Sequence, residues 1–138
     1  MSSSFQQAMN DVSSSLKKVY NAESVVLVPG GGTYGMEAVA RQFANDKDCL
    51  VIRNGWFSYR WSQILEIGKI PSKLTVMNAA RNIPGSQAPF SPVDIDEVVQ
   101  KIKSKKPAIV FAPHVETSAG IILPDAVSYT HLTLPTKA

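Results

Sequence analysis

The stretch Cys49-Leu50-Val51-Ile52-Arg53-Asn54-Gly55-Trp56-Phe57-Ser58-Tyr59-Arg60-Trp61 changes its hydrophobic rhythm partway along. Its first four residues are an unbroken apolar run, which predicts a short strand. Asn54-Gly55 closes that run with turn chemistry. A helix is expected from about Phe57 to Ile67, with Trp61, Ile64, Leu65 and Ile67 as its apolar positions. Gly68 stands where a helix often ends. Downstream, Lys73-Leu74-Thr75-Val76-Met77 predicts another strand. Residues 82–92 hold three prolines and one glycine and are expected to form a connecting loop. Val93 to Lys103 predicts a helix with Val98, Val99 and Ile102 inward and Asp94, Asp96 and Glu97 at its start. Ala108 to Ala112 is the next expected strand, ended by the loop His114–Gly120.

Upstream, residues 5–20 carry a helical stripe of Phe5, Met9, Val12, Leu16 and Val19, an apolar face that needs a partner to cover it. Val25-Val26-Leu27-Val28 reads as a strand buried on both faces. It stops at Pro29-Gly30-Gly31-Gly32, after which Thr33 suits the cap of a helix through Met36, Val39, Ala40 and Phe43. Strands alternating with helices predict an α/β fold, a mostly parallel sheet with helices on both faces. Ligands on such sheets sit beyond the strand C-terminal ends, where the loops 29–33, 54–57 and 113–120 are expected.

Composition narrows the function. The 138 residues suit one domain, and 44% hydrophobic with 18% charged residues excludes a disordered or collagen-like chain. No run reaches the roughly 18 apolar residues of a membrane span, and no secretory leader is recognised. No membrane partner is therefore expected, and the cytoplasm is the default compartment. Cys49, the one cysteine, excludes an internal disulfide and a cysteine-rich zinc site, and no metal site is expected. The net charge of +3 arises from 14 basic and 11 acidic residues that form no long basic stripe. Nucleic acid is not expected as a partner. The block Lys101–Lys106 suits a solvated helix end.

Gly30-x-Gly32-x-x-Gly35 matches the dinucleotide fingerprint in a strand-to-helix turn. The shared physics is phosphate binding by backbone amides at a helix N-terminus. Arg53-Asn54 ends the following strand, and an arginine there suits a 2′-phosphate, so an NADP-type dinucleotide-binding domain is one reading of the loop. A tight turn with no ligand is another.

Three longer blocks carry a resemblance. Pro29-Gly30-Gly31-Gly32-Thr33-Tyr34-Gly35-Met36-Glu37-Ala38 resembles the phosphate loop of class V aminotransferases, enzymes of pyridoxal phosphate fold type I. Val51-Ile52-Arg53-Asn54-Gly55-Trp56-Phe57-Ser58-Tyr59-Arg60-Trp61 is similar to their next block, and His114-Val115-Glu116-Thr117-Ser118-Ala119-Gly120-Ile121-Ile122-Leu123-Pro124 to a third. The blocks stand in family order, and the resemblance covers about residues 5–126. It is strongest to the alanine–glyoxylate and serine–pyruvate aminotransferase group. It implies part of the large, cofactor-binding domain of the aspartate-aminotransferase-like fold, with pyridoxal 5′-phosphate as cofactor.

The resemblance implies that Gly31, Gly32 and Thr33 hold the cofactor phosphate, that Phe57 stacks on the pyridine ring and that Thr117 hydrogen-bonds the phenolic oxygen. Two backbone amides and a hydroxyl suit a dianion, and offset stacking contributes about 0.5–1.5 kcal/mol beyond burial. Thr33 also suits a plain helix cap, and the roles coexist. A one-residue shift would exchange Phe57 with Trp56. Glu116 is expected to organise its loop rather than act as a base, His114 to be structural and Arg60 to pair inside the fold. Tyr34 is a candidate pocket residue. No catalytic residue is assigned: the Schiff-base lysine, the aspartate that pairs with the pyridine nitrogen and the main carboxylate-binding arginine lie further downstream in the family, and Lys47, Lys69 and Lys73 do not match the lysine's context. The implied substrates are a small amino acid and a 2-oxo acid, and the intact enzyme is expected to be a homodimer. Lyases and desulfurases of class V remain alternatives.

Val127-Ser128-Tyr129-Thr130-His131-Leu132-Thr133-Leu134-Pro135-Thr136 resembles one translated frame of a sequencing-library adaptor. Such scars stand outside fold reasoning. Residues 1–126 are therefore expected to be the N-terminal part of the large domain, with 127–138 a non-native tail and the natural frame continuing past Ala126.

Overall fold

The computed structural model describes residues 2–123. The adaptor-like segment and its boundary at Ala126 lie outside the described residues. The chain divides into two units, one ending at Gly35 and one starting at Met36.

The first unit holds α1 (Ser3–Tyr20) and the start of α2 (Gly32–Phe43). Ser2 caps α1 through its side chain, and Asn21 closes it in the left-handed conformation. No residue of α1 is buried, and Phe5 and Val19 of its apolar stripe stand exposed. Val25–Val28 departs from its expected strand. The run belongs to no helix or strand, and Val26 is 82% exposed. Apolar, β-branched composition specifies what a strand would bury, but a strand also needs hydrogen bonds from a neighbour. No described residue pairs with this run.

The second unit is built around β1 (Asp48–Arg53), followed by α3 (Trp56–Ile67), β2 (Lys73–Asn78), β3 (Ala80–Arg81), β4 (Phe90–Ser91), α4 (Ile95–Lys105), β5 (Ile109–Phe111), β6 (Val115–Glu116) and β7 (Ile121–Ile122). The main sheet has the order β2-β1-β5, and both pairings are parallel. Strand β1 is central, and alternate residues feed two cores. Cys49 and Val51 pack with Ala40 and Ala44 at the end of α2, Leu65 of α3, and Phe111. Leu50 and Ile52 pack with Met77 and with Val98 and Ile102 of α4. Both faces are covered, which is why β1 is apolar without alternation. Each fully buried aliphatic of this kind contributes about 1.5–3 kcal/mol.

Two short ladders fall where loops were expected. Ala80–Arg81, just before the proline-rich connection, pairs antiparallel with Phe90–Ser91 inside it. Val115–Glu116 pairs antiparallel with Ile121–Ile122, so the loop after β5 is a small hairpin. Helix α4 begins later than expected, because Asp94 caps it by accepting from Asp96 N and Glu97 N. Its lysine-rich end is solvated as expected: Lys103, Lys105 and Lys106 are exposed.

Candidate functional site at the strand ends

The crossover β1–α3–β2 runs to one side of β1, and α4 leads into β5 on the other side. Strand order therefore reverses at β1, and α3 and α4 cover opposite faces. The crevice beyond the C-terminal ends of β1 and β5 is a topological switch point, the usual ligand position in open α/β sheets. The loop after β1 and the hairpin after β5 meet there.

Their junction is a buried carboxylate. Glu116 is 1% exposed. Its Oε2 accepts from Phe57 N at 3.0 Å and its Oε1 from Ser58 N at 2.6 Å. Ser58 Oγ donates to Oε1 as well. The same hydroxyl accepts from Asn54 N at 2.9 Å and Gly55 N at 3.1 Å. Ser118 Oγ accepts from Trp56 N at 3.3 Å. A helix begins with amides that lack intrahelical acceptors. At α3 the cap residue is Gly55, which has no side chain to satisfy them. Glu116, 59 residues beyond Phe57, supplies the acceptors instead. A negative charge there also suits the positive end of the helix dipole. Gly55 is required by closeness: a Cβ would lie 2.6 Å from Glu116 Oε2.

Thr117, between Glu116 and Ser118, is exposed at the tip of the hairpin, in a turn closed by Ala119 N donating to Glu116 O at 3.1 Å. Phe57 is 46% exposed. The backbone around these two expected site residues is thus joined directly. Beside them lies a cleft of about 430 Å³ lined by Arg53, Asn54, Trp56, Tyr59, Phe90 and Ser118, among others. Trp56 stacks on Tyr59 with ring centroids 5.3 Å apart. Arg53 lies over the Tyr59 ring at 5.4 Å and reaches Ser62 Oγ at 3.4 Å. Asn54 is buried and accepts from Val93 N at 3.4 Å, while its Nδ2 has no hydrogen-bond partner among the described residues.

Gly31, Gly32 and Thr33 belong to the first unit, as the turn into α2 and its first residues. All three are exposed. Gly30 takes φ +140°, open to glycine and strained for other residues. A Cβ built on Gly31 or Gly32 meets no heavy atom within 4 Å. Within the turn, Tyr34 N donates to Gly31 O at 2.9 Å.

The expected loop-organising role of Glu116 is thus visible in the hydrogen bonds. Sequence reasoning missed Ser58, Gly55 and the Trp56–Tyr59 stack. The Gly55-x-x-Ser58 spacing at a helix entry was a usable signal for the first two.

These features define part of a fold type I large domain, with its switch-point crevice. The structure is similar to the crystal structure of ureidoglycine–glyoxylate aminotransferase from Bacillus subtilis, with a TM-score of 0.69 and 24% identity. The match covers 88% of this chain and 30% of that chain. No family model matches the sequence, and no curated protein matches it.

Proposed function

We propose that the chain is the cofactor-holding part of a class V pyridoxal-phosphate-dependent aminotransferase. The intact enzyme would move an amino group from a small amino acid to a 2-oxo acid, in the manner of the alanine–glyoxylate and serine–pyruvate group. The observation that carries this reading is the hydrogen-bonded junction of residues 56–58 with Glu116 and Ser118. Two of the three blocks that resemble the family meet there, through the residues that flank Phe57 and Thr117.

Each unit, taken by itself, suits the cofactor. Gly31, Gly32 and Thr33 present amides and a hydroxyl for a phosphate dianion. Phe57 offers a ring for stacking, and Thr117 a hydroxyl for the phenolic oxygen. When bound, the cofactor supplies an electron sink for the amino acid's α-carbon. The residues of this chain bind and orient it. The lysine, aspartate and arginine that complete the reaction belong to downstream family segments, so residues 1–126 alone would not transaminate. Residues 127–138 are read as a non-native tail. A cytoplasmic homodimer is the corresponding reading of the intact enzyme. Cys49 argues against a desulfurase built on this stretch: it is fully buried, and burial pushes its thiol up, away from the reactive thiolate.

The test titrates the chain with pyridoxamine 5′-phosphate, which has the ring and phosphate but does not condense with surface lysines. Saturable quenching of Trp56 and Trp61 fluorescence is expected, weakened about tenfold, or ~1.4 kcal/mol, by Thr33→Ala or Phe57→Ala. NADPH should not quench. Saturation by NADPH and none by the pyridoxamine would replace this reading with the dinucleotide one.

A further inference from the structure

We infer that Glu116 is the positioning residue of the site: its buried carboxylate sets the spacing between the Phe57 ring and the Thr117 hydroxyl. The inference rests on the cofactor reading above for the meaning of that spacing. The geometry itself does not depend on it.

Glu116 fixes both sides of the crevice at once. Through its side chain it holds Phe57 N and Ser58 N, which set the first turn of α3. Through its backbone it pairs with Ile121 in the β6–β7 ladder and accepts from Ala119 N, which sets the turn carrying Thr117. One residue is thus tied to Phe57 by a hydrogen bond and to Thr117 by a peptide bond. Ser118 adds a parallel tie to Trp56 N. The packing leaves no slack, since even a methyl on Gly55 would collide with the carboxylate.

There is a second consequence. The first-turn amides of α3 are already taken by an internal anion, so this helix start is closed to a ligand phosphate.

The test compares the full 138-residue chain with Glu116→Gln and, as a control, Val98→Ala. The amide variant keeps size and one acceptor, but sets an NH2 group against an N–H donor. Val98 lies in the core on the α4 side of the sheet, away from α3. Amide hydrogen exchange at Phe57 and Ser58 and the dissociation constant for pyridoxamine 5′-phosphate are read under conditions where every variant is folded. Glu116→Gln should speed exchange at these two amides about tenfold and weaken binding by a similar factor. Val98→Ala should leave both unchanged after correction for global opening. Unchanged exchange in Glu116→Gln would overturn the clamp. Faster exchange with unchanged affinity would overturn positioning and leave a plain helix cap. Absence of binding by the unsubstituted chain would overturn the cofactor reading and this inference with it, a result distinct from the other two.

Discussion

Helices α2 and α3 both begin at or beside a glycine, yet the space next to the two glycines differs. At α3 a carboxylate from a distant hairpin fills the helix end, and the glycine there is a matter of room for that carboxylate. At α2 the glycines face open space. The same local sequence device, a glycine at the entry into a helix, thus makes room for a carboxylate in one place and borders open space in the other. Sequence motif alone does not separate the two. What marks the α3 start is the acidic group that reaches it from elsewhere in the fold.

Breaking the α3 start should produce the largest effect. Glu116→Ala removes the acceptors of Phe57 N, Ser58 N and Ser58 Oγ in a buried place. Hydrogen bonds to a charged partner contribute about 1.5–3 kcal/mol each and do not sum, so a total loss of roughly 3 kcal/mol is expected. Urea unfolding gives the value directly. Cys49 provides an independent clock. It is packed in the core with Leu65 of α3, and burial pushes its thiol up, so at neutral pH it reacts only through opening. Labelling of Cys49 should accelerate about a hundredfold in Glu116→Ala, the factor that corresponds to ~2.7 kcal/mol. Unaltered labelling would mean that α3 holds without its carboxylate.

Gly55→Ala attacks the same junction from the other side. The new methyl would stand 2.6 Å from Glu116 Oε2 and 3.0 Å from its Cδ. Either the carboxylate retreats and loses its amides, or the hairpin shifts. Overpacking of this kind costs about 1–3 kcal/mol. Combined with Glu116→Ala, the glycine substitution should cost less than alone, because Oε2 and Cδ are gone and only the Cβ of residue 116 remains, at 3.1 Å. A double-mutant cycle with additive losses would show that Gly55 is needed for another reason.

The contrast also marks how far sequence reasoning reaches. Strand β1 and helix α3 were legible because their hydrophobic periods are long enough to read, and the switch from one to the other is abrupt at Asn54-Gly55. Val25–Val28 has the composition of a buried strand, but composition does not supply a partner strand. The two-residue ladders at Ala80–Arg81 and Val115–Glu116 are too short to carry any period. Phe57 and Thr117 are candidates through resemblance alone, and Glu116 was legible as a loop organiser through its position beside Thr117. That Glu116 caps α3 was not legible, because the contact joins segments far apart in the chain. A carboxylate in an irregular loop looks the same in sequence whether it faces solvent or a helix end.

The smallest effect, and the one that most sharpens the contrast, is Gly32→Ala at the start of α2. The substitution is the one made at Gly55, in the same kind of place. Here, however, the methyl meets nothing within 4 Å, and the backbone is not in the left-handed region. Replacing a helical glycine without strain removes conformational freedom from the unfolded chain and stabilises by about 0.4–1 kcal/mol. Stability should therefore rise slightly where Gly55→Ala lowers it. Affinity for pyridoxamine 5′-phosphate should move the other way, because the methyl would stand where the amides approach the phosphate. A gain in stability together with a loss in binding identifies an open space kept for a ligand. A gain in stability with binding intact would make the α2 turn an ordinary helix entry, and the phosphate would have to be sought at other donors.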